Sequence, residues 1–235
     1  MTLDELERAC PAFADVTRTM PADVRARCRV QTHPAGSIVH RKDALLTRFG
    51  IVAWGESRVI NEFENGSVYM IERNRPIDFV GEVAMLAGME RASVTIEAVT
   101  DMTVAYISRE DAERWLASDI EIMQRVAGKV AYKLYRSSYS NGAKLFYPPA
   151  YLLMDYLVRY GEGLGMGRAG GPERVIVAKT RQALQEELGI NVKTLSRTIR
   201  QLKEEGLLGT ERGKVSFSSG QLARAVPWLV AAGRR

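Results

Sequence analysis

Residues 180–208 carry the pattern that most constrains how this chain can fold. The pattern predicts two short amphipathic helices, separated by a tight turn at residues 189–191. In the second helix Leu195, Ile199 and Leu202 recur at spacings of four and three, so they mark one buried face. Residue 191 is an asparagine and the predicted N-cap, because its side-chain oxygen can accept an orphan backbone N–H. This order of elements predicts a helix-turn-helix.

Basic residues mark the opposite face of the second helix, where Lys193, Arg197 and Arg200 recur at the same spacings. A polar turn at residues 210–214 and the strand-like segment 215–217 then predict a β-hairpin, or wing. One side of the helix therefore suits packing and the other suits contact with negative charge. The pattern favours binding to double-stranded DNA, with the second helix in the major groove. The alternative is a solvated basic face on an ordinary helical hairpin.

The predicted DNA contacts lie at the starts of both helices, along the basic face and on the wing. Arg197 is expected to bond bidentately to guanine, whereas Lys193 is expected to meet guanine or a phosphate. The full set is Thr180, Arg181, Val192, Lys193, Thr194, Ser196, Arg197, Arg200, Arg212 and Lys214.

Charge is distributed unevenly along the chain. Residues 172–235 contain twelve Lys and Arg against six Asp and Glu, a net charge of +6. The remaining residues contain 21 against 22, a net charge of −1. Because the basic excess belongs to the segment with the helix-turn-helix pattern, it favours a nucleic-acid partner over a general effect on solubility.

Short segments with strand-like alternation dominate the region from residue 29 to residue 107, and turn residues separate them. The segments are 37–40, 58–63, 67–72, 92–100 and 102–107. Regular short strands of this kind predict an antiparallel sandwich or β-roll. The expected fold class is α+β, with an N-terminal jelly-roll-like antiparallel β-roll, a long dimerisation helix and a C-terminal winged helix-turn-helix.

A long helical pattern covers residues 119–140. Five residues on it recur at spacings of four and three, which is a narrow seam of coiled-coil type. They are Met123, Ala127, Val130, Leu134 and Ser137. Such a seam predicts a partner helix, and in a symmetric dimer the partner is a second copy of the same chain. The alternative is packing of this helix against the chain's own β-domain.

The patterns together predict three regions in the chain. An effector-sensing β-roll with an N-terminal helix is expected over residues 1–108, a dimerisation helix over residues 109–141, and a DNA-binding domain over residues 142–235. The predicted hinge is at residues 141–142, where Asn and Gly weaken the helical pattern.

The residue types argue against an enzyme, a metal site and a membrane protein. His33 and His40 are too few for a usual catalytic metal site, and no nucleophile stands near a base in the sequence. Cys10 and Cys28 are too few for a disulfide framework or a four-thiolate cluster. The chain has no apolar run of about 18 residues and no N-terminal targeting pattern. We expect no enzyme activity, no metal, no membrane association and a cytoplasmic location.

The order of β-roll, long helix and winged helix-turn-helix resembles the catabolite activator/FNR family of bacterial transcription regulators over nearly the whole chain. Residues 79–93, FVGEVAMLAGMERAS, are similar to that family's phosphate-binding cassette, in which Gly-Glu precedes an apolar turn and Arg-Ser-Ala. The resemblance implies a homodimeric transcription regulator that binds an operator in double-stranded DNA. It also implies RNA polymerase as a partner and control by a small effector in the β-roll.

The resemblance further implies roles for individual residues. Arg91 would hold the phosphate of a cyclic nucleotide through charge-assisted bonds, Glu82 would accept from the ribose 2′-OH, and Gly81 would allow a close backbone approach. Ser137 and Ser138 on the long helix would read the base, and a shift of one residue in the alignment would place Arg136 and Ser137 there instead. The alternative is that Glu82 and Arg91 form a buried ion pair that only holds the β-roll turn together.

Two positions depart from the family pattern. Ala92 stands where the cassette has a hydroxyl residue, and losing one hydrogen bond to a charged group costs about 1.5–3 kcal/mol, although Ser93 could compensate. Lys193 stands where the recognition helix has a glutamate, which predicts a different operator. No cofactor is certain, and the expected effector is a cyclic nucleotide or another small metabolite, with cAMP slightly disfavoured. The alternatives are a cAMP-gated activator with an intact pocket and a nucleotide-sensing module that does not bind DNA.

Overall fold

The computed structural model describes residues 1–64, 66 and 68–232, without the side chains of residues 139–145 and 232. The chain forms two compact units, the N-terminal unit Met1–Ser137 and the C-terminal unit Ser138–Arg235. The elements of the N-terminal unit are α1 (Leu3–Ala9), α2 (Pro11–Thr17), α3 (Ala22–Arg27), β1 (Arg29–His33), β2 (Ile38–His40), β3 (Arg48–Trp54), β4 (Ser57–Glu62), β5 (Val68–Asn74), β6 (Asp78–Val80), α4 (Glu82–Leu86), β7 (Thr95–Ala98), β8 (Met102–Ser108), α5 (Arg109–Ser118) and most of α6 (Ile120–Phe146). Those that follow are α7 (Pro149–Gly163), β9 (Arg174–Ile176), α8 (Arg181–Leu188), α9 (Val192–Glu204), β10 (Gly209–Glu211), β11 (Lys214–Ser218) and α10 (Ser219–Ala232).

Two antiparallel sheets form the β-roll of the N-terminal unit, with strand orders β1-β8-β3-β6 and β2-β7-β4-β5. Successive side chains of a strand point to opposite faces of its sheet. Val52 of β3 and Val104 of β8 therefore join Ile96 of the second sheet in the core between the sheets. The alternate residue Ile51 packs on the other face, in the core that contains Trp115 of α5.

The predicted fold class is confirmed, and each of the five predicted strand segments overlaps a strand, although Ser67 lies outside the described residues. The sequence reading missed β1, β3 and β6. Strand β3 is buried on both faces from Phe49 to Ala53, so its sequence is a continuous apolar run without the polar alternation that marks a half-buried strand.

The long helix α6 begins and ends differently from the prediction. Asp119 precedes it, and the Asp119 side chain accepts a hydrogen bond from the backbone N–H of Glu121 at 2.9 Å. The helix continues to Phe146 without a break at residues 141–142, where the hinge is predicted. A glycine inside a helix costs only about 1 kcal/mol relative to alanine. The residue before Pro148 is biased away from helical geometry, which explains the end of the helix near that position.

Helix α6 has two different faces within the N-terminal unit. Ile122 and Val126 are buried in the core with α1, α2 and α5, and Met123 of the predicted seam packs against the same core. Ala127 and Leu134 of the seam are exposed, and Leu134 is 67% exposed. The helix therefore packs on its own β-roll by one face and leaves part of the seam open on another, so dimerisation through that seam stays a prediction.

The C-terminal unit folds around one apolar core that joins α7, α8, α9 and a sheet of order β10-β11-β9. The predicted wing is confirmed as the antiparallel pair β10 and β11. Its two-residue turn uses positive φ angles at Arg212 (48°) and Gly213 (78°), a geometry whose twist matches that of the flanking strands. Strand β9 and helix α10 were not predicted.

Candidate nucleic-acid interface and effector cavity

Helices α8 and α9 form the predicted helix-turn-helix, and each begins with a capped N-terminus. The Thr180 hydroxyl accepts a hydrogen bond from the backbone N–H of Ala183 at 3.1 Å, which starts α8. Gly189 ends α8 in the left-handed conformation, with φ at 69°. Asn191 then caps α9 as predicted, because its side-chain oxygen accepts from the N–H of Thr194 at 2.9 Å. The turn between α8 and α9 is thus stabilised by a left-handed glycine and by hydrogen bonds between residues close in sequence.

The two faces of α9 differ in burial and charge as predicted. The apolar face is at most 3% exposed at each of its three positions. Lys193, Arg197 and Arg200 are exposed on the other side, and none of them makes a hydrogen bond or ion pair with the described residues. Unpaired cations in a row along one helix face are available to phosphates and to base edges.

The remaining predicted contacts on α8 and α9 differ in accessibility. Ser196 and Val192 are exposed, and Val192 is 37% exposed. Thr194 is half-buried at the start of α9. Arg181 is also half-buried, and burial lowers its pKa. Its Nη1 atom is buried without a hydrogen-bond partner among the described residues, so Arg181 is less accessible than the cations of α9.

The wing adds two exposed cations to this surface. Arg212 lies in the turn and Lys214 begins β11, and neither makes an ion pair with a described residue. Glu211 beside them is neutralised by Arg174 of β9, whose Nη2 lies 3.0 Å from the Glu211 carboxylate. The sequence reading missed Arg174, because the short strand that brings it to the wing gave no distinct alternation.

The cassette forms a tight turn at the end of β6. Gly81 adopts a positive φ of 89° and starts α4, and a Cβ atom there would lie 3.0 Å from the carbonyl oxygen of Arg48. Glycine is therefore the residue that fits both the conformation and the close approach. The turn opens onto a cavity of about 60 Å³, which is room for about four water molecules.

Four of the seven residues predicted for the effector site line this cavity, and three do not. Those that do are Gly81, Glu82, Ala92 and Ser93. Arg91 is exposed, and its Nη1 donates to the backbone oxygen of Asp43 at 2.7 Å. Ser137 is half-buried and Ser138 exposed on α6, and neither is part of the described cavity wall.

Lys133 of α6 is the functional candidate that sequence reasoning missed. It lines the cavity, and its Nζ lies 2.7 Å from Oε1 of Glu82 and 3.0 Å from Oδ1 of Asp78. The alternative pair of Glu82 with Arg91 is not formed. Lys133 lies one turn before Ser137 and therefore on the same face of the predicted helix, which is the sequence signal that could have found it.

The ionisation of the cavity wall follows from burial. Burial disfavours the charged form of Lys133, but the carboxylates of Glu82 and Asp78 outweigh it and raise the pKa of Lys133. The Lys133 ammonium is therefore charged at neutral pH. Burial lowers the pKa of His40, another wall residue, to about 4, so its imidazole is neutral there. The wall also contains Glu72.

The described residues contain no group of three or more His, Cys, Asp or Glu side chains that could hold a metal ion. Cys10 and Cys28 are free thiols. No helix within the described part of the chain is both long and apolar enough to cross a membrane.

Comparison with known proteins finds one matching domain and several similar transcription regulators. Residues 30–119 match the model of the cyclic nucleotide-binding domain. The cAMP-activated global transcriptional regulator CRP of Salmonella typhimurium is 21% identical over 184 residues, which cover 78% of this chain and 86% of that protein. The chain is thus similar in sequence and fold to transcription regulators of the catabolite activator/FNR family.

Solved structures of transcription regulators share the fold of this chain. TTHA1359, a transcriptional regulator of the CRP/FNR family from Thermus thermophilus, is 20% identical with a TM-score of 0.65, covering 85% of this chain and 98% of that chain. The c-di-GMP responsive global regulator CLP of Xanthomonas campestris is 19% identical with a TM-score of 0.69, covering 82% and 95%.

Proposed function

We propose that this chain is a homodimeric transcription regulator that reads double-stranded DNA with α9 and the wing, under the control of a small effector in the β-roll. The observation that carries the proposal is the row of exposed, unpaired cations on α9. Arg25 and Arg27 of the N-terminal unit, by contrast, are paired: Arg25 with Glu7 at 2.6 Å and Arg27 with Asp111 at 2.7 Å. Cations left free on one helix face suit a polyanionic partner.

The geometry supports separate roles for the DNA contacts. Arg197 is central on the exposed face and is proposed to bond bidentately to guanine O6 and N7, whereas Lys193 meets guanine or a phosphate. Arg212 and Lys214 of the wing are proposed to contact phosphates, which position the domain without reading sequence. The capped N-terminus of α8 at Thr180 presents backbone N–H groups to a further phosphate.

A dimer would let two copies of α9 address two half-sites. The exposed seam residues Ala127 and Leu134 on α6 support a symmetric contact between two long helices. Two-fold symmetric regulators of this kind bind half-sites about 34–36 Å apart. We propose RNA polymerase as a further partner, and the cytoplasm as the location because the DNA target lies there.

The test is selection of bound duplexes from a random library, followed by fluorescence anisotropy on an enriched duplex and on a scrambled one. Arg197→Ala should cost about 1–3 kcal/mol on the enriched duplex and much less on the scrambled duplex. Lys42→Ala is the matched control, since it removes one exposed positive charge from the N-terminal unit. Equal losses on both duplexes would refute the role of Arg197, and no enrichment at all would refute DNA recognition.

One observation favours a second candidate, a cAMP-gated activator, because the matched domain is that of cyclic-nucleotide-binding proteins. The relatives named above respond to different molecules, cAMP in one and c-di-GMP in another, so the fold accepts more than one effector. Calorimetric titration of the nucleotide-free protein with cAMP tests this candidate. Saturable binding that is lost in Arg91→Ala supports it, and the absence of heat removes it.

A further inference from the structure

We propose that Lys133 is an internal ligand of the β-roll cavity. Its ammonium pairs with the Glu82 carboxylate, which a ribose hydroxyl would need as its hydrogen-bond acceptor. Lys133 thereby excludes cyclic nucleotides from the cavity. This inference rests on the proposed role of the cavity as an effector site. It does not depend on DNA binding.

The ion pairs that Lys133 forms with Glu82 and Asp78 are buried. The side chains of Lys133, Glu82 and Asp78 are 13%, 4% and 3% exposed. The Lys133 ammonium carries three N–H donors, and two carboxylates lie within 3.0 Å of it. A charge this far from water needs such partners, because an isolated buried charge is strongly disfavoured. Glu82 is therefore committed to Lys133 in this state of the protein.

A second lysine reinforces the same connection. Lys129 lies one turn before Lys133 on α6, and its Nζ donates to the backbone oxygen of Ile77 at 2.7 Å. The inward face of α6 is apolar at Ile122 and Val126, and it becomes cationic where it meets the segment that leads into the cassette. Lys129 and Lys133 thus hold the long helix against the cassette and the segment that leads into it.

The rest of the cavity is poorly suited to an anion. No arginine is among the described residues of its wall, which contains the carboxylates Glu72 and Glu82 against the single ammonium of Lys133. Arg91 is held outside by the Asp43 carbonyl, and the buried Ala92 has no hydroxyl to donate. The space of about 60 Å³ holds a few water molecules. Entry of a cyclic nucleotide therefore requires that Lys133 leave Glu82.

The first experiment is calorimetric titration of the full-length, nucleotide-free protein and its variants with cAMP. Lys133→Met keeps the length of the side chain and removes its charge, so it should bind cAMP at least about tenfold more tightly than the parent protein. The double variant Glu82→Gln/Lys133→Met should lose that gain, because the freed carboxylate is gone. The double variant leaves one buried carboxylate, Asp78, without Lys133, where the single variant leaves two, so it is the less prone of the two to misfold. Lys42→Met is the control, with the same change of charge at an exposed position, and should behave like the parent.

The second readout is amide hydrogen exchange without any ligand. Exchange in residues 78–86 and in residues 122–137 should rise at least about fivefold in Lys133→Met and stay unchanged in Lys42→Met. Equal affinity of the parent and Lys133→Met for cAMP, or no binding by either, overturns the proposal. Unchanged exchange in Lys133→Met does so as well. A failure of sequence-specific DNA binding would refute the proposed regulator function and leave these results unaffected.

Discussion

Replacing His40 with glutamine removes a neutral, half-buried imidazole from the β-roll. Burial lowers the pKa of His40 from its usual 6.5 to about 4 in the folded chain. The unfolded chain therefore takes up a proton at higher pH than the folded chain does. The stability contribution is fully present above pH 6.5 and is lost as the pH falls toward 4. At 1.36 kcal/mol for each pH unit, the loss between pH 7 and pH 4 amounts to about 3 kcal/mol of unfolding free energy.

The assay is denaturant unfolding at a series of pH values, followed by tryptophan fluorescence in a Trp228→Phe background. The remaining tryptophans, Trp54 and Trp115, both lie in the N-terminal unit, so the signal reports the unfolding of that unit. Trp115 is fully buried, which ensures a large change on unfolding. The parent should lose about 3 kcal/mol more than His40→Gln between pH 7 and pH 4.

The matched control is His33→Gln, which removes the other histidine and leaves His40 in place. The pKa of His33 is also lowered by burial, but its Nε2 lies 2.9 Å from the Tyr106 hydroxyl, outside the cavity wall. This variant should keep the acid sensitivity that His40 causes. If the parent and His40→Gln lose stability equally over this pH range, the pKa of His40 is not lowered in the folded chain.

Two further predictions concern the helices. Asn191→Ala removes the cap of α9 and should cost about 1 kcal/mol, seen as roughly fivefold faster hydrogen exchange of the α9 amides, whereas Ser196→Ala on the exposed face should leave them unchanged. Leu134→Glu places like charges across the exposed seam of α6 and should convert a dimer into a monomer in sedimentation experiments without lowering the stability of the N-terminal unit. A dimer that persists in Leu134→Glu would argue against that seam as the interface.

The helix-turn-helix and the wing could be predicted because their signals are local. The buried face, the basic face and the Asn191 cap of α9 follow from the 3.6-residue period of a helix and from hydrogen bonds between near neighbours in sequence. The half-buried strands were found for a similar reason, since their side chains alternate with a period of two. Strand β3 was not predicted, because burial on both faces removes that alternation.

The residues that line the β-roll cavity could be identified only from the tertiary structure. Lys133 and Glu82 are 51 residues apart and belong to different elements, so no spacing in the sequence links them. Only the packing of α6 against the β-roll brings the ammonium to the carboxylate. Arg91 matches the cassette motif in sequence, but its guanidinium donates to the Asp43 carbonyl outside the cavity. A motif match therefore did not predict the position of this side chain. Sequence alone thus determined which helix has an exposed basic face opposite a buried apolar one, because periodicity is a property of the local backbone. The partner of a buried charge is decided by long-range packing, because the charge pairs with whichever group the fold brings within reach.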